Sequence, residues 1–319
     1  MTRSALGLLE RKLLFVTGKG GVGKTSVASA IGLLAAERGR RTLVCEVDAK
    51  GNLADFFGVG PLRFEPTEVR PGLFAMAMDT EESLKEYLKL NLKVPLLAKV
   101  GPLARTFDFV ANAAPGVKEI LTVGKLAYEV RERHYDLVVV DASATGHVVG
   151  QLASPVAIND LVKVGLVRSQ TDWMIDILTD ADTTGVVVVT VPEEMPTAET
   201  LELIERLGAE TDIDVASVVV NRVLPELFGR SEEELFDRLS TPAGRDALAA
   251  AAGAGAGTVL EGAELAVRLR RSRVGHLNRL REGLPPEVPL LYLPFLFHRS
   301  HGVRATSVIA ESLGAELGF

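Results

Sequence analysis

Residues Gly18-Lys19-Gly20-Gly21-Val22-Gly23-Lys24-Thr25 satisfy the pattern G-x-x-x-x-G-K-[ST]. Glycines at this spacing let consecutive backbone N–H groups turn inward around phosphate oxygens, and a helix N-terminus behind them adds partial positive charge. Lys24 suits the β- and γ-phosphates, the Thr25 hydroxyl suits a magnesium ion, and Ser26 completes the phosphate-binding set as the helix begins. Two acidic residues extend the pattern: Asp48 closes one apolar run and Asp141 closes another, DLVVVD. Carboxylates there point into the crevice that holds the phosphates. Asp141 suits the magnesium shell, directly or through water. Asp48 suits orienting or deprotonating an attacking water, with a share in the same shell. Lys19 is one lysine more than a phosphate cradle needs. The residues alone leave it open between a solvated loop lysine and a functional one.

The elements that must position these groups are short β-branched runs alternating with longer helix-like segments. The runs 12–17, 42–47, 73–78, 136–141, 185–191, 216–221 and 289–293 read as strands. Continuous apolar strands fit a sheet covered on both faces, and intervening helices supply right-handed crossovers. The fold class expected is a doubly wound, mostly parallel α/β sheet with its ligand at the carboxyl ends of the strands. Ser26 to Arg38 reads as the helix after the phosphate loop. The intervals 80–134 and 147–182 exceed what a crossover needs and read as one inserted helical subdomain. The first carries breaks at Pro95, Pro102 and Pro115, the second has helices near 157–167 and 172–178, and 1–319 forms a single nucleotide-binding domain. Ser231 to Glu282 reads as helical, its arginines forming a solvated face.

Composition narrows the classes. The chain has 319 residues, 47% apolar and 24% charged, which suits a folded protein rather than a disordered one. A net charge of −7 offers no footprint for nucleic acid. One cysteine, Cys45, excludes an intrachain disulfide, a CxxC zinc site and a cysteine-held iron–sulfur cluster, and it reads as a small buried hydrophobe. Without a basic leader or a predominantly apolar, uncharged span of about 18 residues (the run 142–159 is uncharged but broken up by Ser, Thr, His, Gln and Pro), neither export nor stable membrane insertion is expected, and a cytoplasmic location is the default.

With these motifs in place, the chain resembles the nucleotide-dependent dimerising ATPases. Its nearest resemblance is to the arsenical pump-driving ATPase family, which includes the ATPase that targets tail-anchored membrane proteins. GKGGVGKT looks like the deviant phosphate loop of these proteins, and Asp48 to Phe57, with Asn52 inside it, like their first switch. DASATGH, ending in Gly146 and His147, looks like the second switch, and the VVVNR strand end and the late YLPF segment also match. The resemblance implies ATP and Mg2+ as cofactors. It implies that Lys19 reaches the nucleotide of a partner subunit, a homodimer or a paralogue heterodimer, and so takes part in catalysis with Asp48. It also implies that Asn221 hydrogen-bonds adenine while Pro294 and Phe295 shape the base pocket. The chain departs from the family at Ala49 and Gly51, where Pro and His are common, and in lacking the cysteines of the zinc clamp and of the metalloid site.

The targeting ATPases hold a hydrophobic protein client in an apolar helical groove. The insertion here offers Leu84, Leu88, Leu92, Leu96, Leu97, Phe107, Phe109, Val110, Ile120, Leu121, Trp173, Met174, Ile175 and Leu178, which either form such a groove or pack the insertion onto the sheet. Two functions stand: an ATPase whose hydrolysis gates a helical client-binding or partner-binding subdomain, and a nucleotide-binding regulatory or scaffolding partner with little turnover. An arsenite efflux ATPase is a third and poorer reading.

Overall fold

The computed structural model describes residues 7–48, 51–92, 116–162, 164–253, 255–297 and 302–319. Seven of its strands coincide with the seven apolar runs to within two residues at each end. They are β1 (Leu13–Thr17), β2 (Thr42–Glu46), β4 (Leu73–Ala77), β5 (Leu137–Asp141), β6 (Thr184–Thr190), β7 (Val215–Val223) and β8 (Leu290–Pro294). The sequence gives no such run for β3 (Thr67–Arg70), a short and largely exposed TEVR segment. The sheet order is β3-β4-β2-β5-β1-β6-β7-β8, with β3 antiparallel to β4 and every other pairing parallel. An edge strand can be short and polar because one side of its ladder faces solvent.

Eleven described α-helices surround the sheet: α1 (Lys24–Glu37), α2 (Asn52–Phe57), α3 (Thr80–Leu92), α4 (Val117–Arg131), α5 (Thr145–Leu161), α6 (Leu166–Thr179), α7 (Glu194–Glu210), α8 (Arg230–Leu239), α9 (Pro242–Ala252), α10 (Gly255–Gly283) and α11 (Val303–Glu316). Alternate residues of β1 serve opposite cores. Leu14 and Val16 pack with α1 and α11, through Ile31 and Leu313, whereas Leu13 and Phe15 pack with α4, α5 and α7, through Leu126, Leu152 and Leu207. Both faces are therefore dry, and the strands need no polar alternation.

α3 to α6, drawn from the two long intervals, pack on one another. The helix boundaries expected near 157–167 and 172–178 are corrected. α5 starts a dozen residues earlier, runs through Pro155 and ends at Leu161, and α6 begins at Leu166 behind Gly165, which takes φ +99°. A proline inside a helix leaves the carbonyl four residues back without its N–H donor. Here that carbonyl belongs to Gln151, and the Ser154 hydroxyl donates to it at 2.8 Å, so the helix continues. Pro95, Pro102, Pro115, Leu96, Leu97, Phe107, Phe109 and Val110 lie outside the described residues.

The 231–282 segment forms α8, α9 and α10 around a small separate core of Phe236, Leu260 and Val267. Several of its arginines are engaged within the chain, among them Arg271 with Asp237 at 3.3 Å and Arg273 with Glu193 at 3.5 Å.

Candidate functional site

β1 lies between β5 and β6, so the chain leaves it where the sheet order reverses and a crevice opens at the strand ends. Residues 18–23 fill that crevice as a loop and α1 starts at Lys24. Two glycines are fixed by close approach as well as by conformation. At Gly18, φ +150°, a Cβ would lie 2.1 Å from the Val189 carbonyl oxygen. At Gly23, φ +98°, it would lie 2.4 Å from the Asn221 amide nitrogen. Asn221, buried at the end of β7, donates from Nδ2 to the Val22 carbonyl at 2.9 Å and accepts from the Arg222 N–H at 2.9 Å. The neighbouring strand tip thus braces the underside of the loop.

A cavity of about 510 Å³ opens above the loop, walled by Gly20, Gly21, Gly23, Lys24, Thr25 and Ser26, by Glu46, Asp48 and Asp141, and by Asn52, Asp55, Phe56, Ala142 and Arg222. The Thr25 hydroxyl donates to Asp141 Oδ2 at 2.6 Å. Asp141 Oδ1 is buried and has no hydrogen-bond partner among the described residues. Burial raises the Asp141 carboxyl to about 6, against the pull of the Thr25 hydrogen bond and the Lys24 charge; Glu46 and Asp48 push it further up. A hydroxyl and a spare carboxylate oxygen beside a phosphate cradle fit a hard, oxygen-preferring cation such as magnesium, whose remaining ligands come from phosphate and water.

Glu46 is a site residue that the sequence analysis missed. It is 3% exposed and pairs in register with Asp141 across β2 and β5. Its two oxygens accept the Asn52 N–H at 3.0 Å and the Gly51 N–H at 3.2 Å. α2 begins at Asn52 behind Gly51, which has no side chain to cap it, so Glu46 satisfies the first amides from a distance. Asp48 lies on the loop between Glu46 and these amides. Arg222 was also missed: it lines the cavity with φ +57°, a region costly for a side chain with a Cβ and found often at functional positions. In sequence its only sign was its place at the end of VVVNR.

The other expected residues fall around this cavity rather than in its wall. The Lys19 ammonium forms an ion pair with Glu199 of α7, both side chains about a third exposed. Gly146 and His147 sit in the first turn of α5, directly after the Asp141 strand end, and the Ser143 carbonyl there accepts from the Thr17 hydroxyl at 2.9 Å. Pro294 ends β8 opposite Val223, and the Phe295 N–H donates to the Val223 carbonyl at 2.9 Å, so both lie on the strand tip next to that of Asn221. Cys45 is fully buried in β2, and burial holds its thiol far above the usual range, which makes it a packing residue.

A family model described as Anion-transporting ATPase matches residues 11–172 and 161–238. The matched region contains every element of the cavity, and Pro294 and Phe295 lie beyond it. ATPase BagA of Mycobacterium tuberculosis is 34% identical over 225 residues, 67% of this chain and 66% of the relative. A putative arsenical pump-driving ATPase of Halobacterium salinarum is 29% identical over 242 residues, 69% of this chain and 37% of the relative. An ATPase ASNA1 homolog of Entamoeba dispar is 27% identical over 257 residues, 67% and 77% of the two chains. The chain spans about two thirds, 66%, of the length of the mycobacterial relative. Among the described residues no helix is long and apolar enough to cross a membrane.

Proposed function

The chain belongs to the anion-transporting ATPase family, and on that premise we propose that it binds and hydrolyses ATP with magnesium as one subunit of a nucleotide-dependent dimer, moving a helical subdomain that binds a client or partner. One observation carries the reading. Thr25, Asp141 with its partnerless oxygen, and the glycine cradle meet in one cavity at the point where the sheet order reverses.

The loop amides and Lys24 hold the β- and γ-phosphates. Magnesium, when bound, neutralises charge that builds on those phosphate oxygens. Thr25, Asp141 and Asp48 would hold it, partly through water. Asp48 also orients the attacking water and takes up its proton. Lys19 completes the site from the partner subunit, so that dimer closure and catalysis become one event. Asn221, Pro294 and Phe295 face the base.

Loss of the γ-phosphate is felt at two helix starts: that of α2 at Asn52, tied to Glu46, and that of α5, whose first turn carries Gly146 and His147. α5 runs from that point into the helical group, a direct mechanical path from phosphate to client.

Steady-state turnover of the wild type and of Asp48→Asn, with ATP binding measured separately, tests this. Turnover in the wild type, with at least a hundredfold loss and retained binding in Asp48→Asn, is expected. Negligible wild-type turnover with intact binding assigns the chain instead to the regulatory, low-turnover class.

A further inference from the structure

The helical group borders a second, open-sided cavity of about 420 Å³, lined by α3, α4, α5 and α6 and distant in sequence from every phosphate-contacting residue. It lies within the usual range for a small-molecule site, roughly 300–1,000 Å³. The helices present Tyr87, Ile120, Leu121, Tyr128, Trp173 and Met174 to it, three of them aromatic.

We infer that this cavity binds a small, uncharged, aromatic molecule. A membrane-span helix of about 20 residues is ~30 Å long and ~10 Å across, so a space of about 420 Å³ takes at most a small part of such a client. Charge argues against an ionic ligand. Of the two cations in the wall, Lys125 is only 7% exposed and is held between Glu86 at 2.7 Å and Glu129 at 2.6 Å; His134 bonds the other oxygen of Glu129 at 2.7 Å. Arg131 stands with its guanidinium 4.8 Å from the Trp173 ring centre. An ionised ligand would lose water and find, besides the paired Lys125, only the Arg131 charge already directed at the Trp173 ring, whereas the aromatic lining of Tyr87, Tyr128 and Trp173 favours a flat apolar one. The inference names the occupant of the helical group in the function proposed above and rests on that reading only for its coupling to nucleotide.

Trp173 is the chain's one tryptophan, so its fluorescence reports this cavity alone. Titration of the full chain, without nucleotide, with neutral N-phenyl-1-naphthylamine should quench Trp173 by energy transfer, saturably and at one site. The anionic 8-anilinonaphthalene-1-sulfonate should bind at least tenfold more weakly. Ile120→Phe and Leu121→Phe, which fill the space, should each weaken the neutral dye at least tenfold while leaving the melting temperature and ATP binding near wild type. Should both variants fail to fold, the wild-type comparison of the two dyes decides. Non-saturable quenching, an anionic dye that binds as well as the neutral one, or folded filled variants with unchanged affinity would overturn the inference. So would a Trp173 response to an apolar 20-residue helical peptide with none to the neutral dye. ATP binding is measured apart from dye binding, so failure of this site is distinguishable from failure of the ATPase reading.

Discussion

Thr25 and Asp141, 116 positions apart in the chain, meet in a 2.6 Å hydrogen bond that occupies one carboxylate oxygen and leaves the other buried without a partner. A buried polar atom with no partner costs stability. Its retention at the mouth of a phosphate cradle is explained if the atom is satisfied by a cation that arrives with the nucleotide.

The raised Asp141 carboxyl gives this cost a pH signature. Burial favours the neutral acid, so the stability it confers on the nucleotide-free protein is full below pH 3.8 and is lost as pH rises through about 6. Asp141→Asn removes the ionisation and should be more stable than the wild type above pH 7 by on the order of 2–3 kcal/mol, the gap narrowing toward pH 4. Urea unfolding of both proteins from pH 5 to pH 8, without nucleotide, measures it; a gap independent of pH would refute the assignment. The same variant should lose magnesium-dependent ATP affinity, and the wild type should lose it as pH falls below about 6.

The phosphate loop, the strand leading to Asp48 and the strand ending at Asp141 were legible in sequence because their signals are local: glycine spacing, an apolar run, an acid at or just past its end. What was not legible depends on contacts between distant positions. Glu46 sits in TLVCEV as if it were a polar interruption, and only the return of the chain at Gly51 and Asn52 gives it a task. Glu199 is one of several glutamates on α7, singled out only when Lys19 reaches it. Pro155 reads as a helix breaker unless the hydroxyl of Ser154 is seen to take over the freed carbonyl.

Glu46→Ala should leave the Gly51 and Asn52 amides without their acceptor, at a cost of about 1–3 kcal/mol in unfolding free energy. Because Asp48 lies on the segment so anchored, turnover should fall more than ATP affinity does. Glu46→Gln keeps one acceptor oxygen and should fall between alanine and wild type in both measurements. Equal loss of affinity and turnover would show that Glu46 acts on phosphate binding rather than on the loop.

Gly23→Ala should combine a strained φ of +98° with a Cβ 2.4 Å from the Asn221 amide, destabilising the chain by about 1–3 kcal/mol and abolishing ATP binding. In the double variant with Asn221→Ala the clash is gone but the strain stays. Thermal unfolding should therefore recover part of the loss and not all of it. Full recovery would mean that conformation at position 23 is immaterial.

Lys19 is engaged with Glu199 of its own chain, yet the proposed dimer needs its ammonium at the partner's phosphates. The two uses exclude each other, so the intrachain pair competes with closure. An ion pair about a third exposed is worth only ~0–1 kcal/mol, which sets the size of the effect. Glu199→Gln should tighten ATP-dependent dimerisation by up to about fivefold, whereas Lys19→Ala should weaken it at least tenfold. Combining the two should give the Lys19→Ala value, because without the lysine there is nothing for Glu199 to hold back. Sedimentation velocity in ATP and magnesium, on an Asp48→Asn background that preserves the nucleotide, reads all three. A Glu199→Gln gain that persisted without Lys19 would show that Glu199 opposes the dimer through general charge repulsion, not by holding this one side chain.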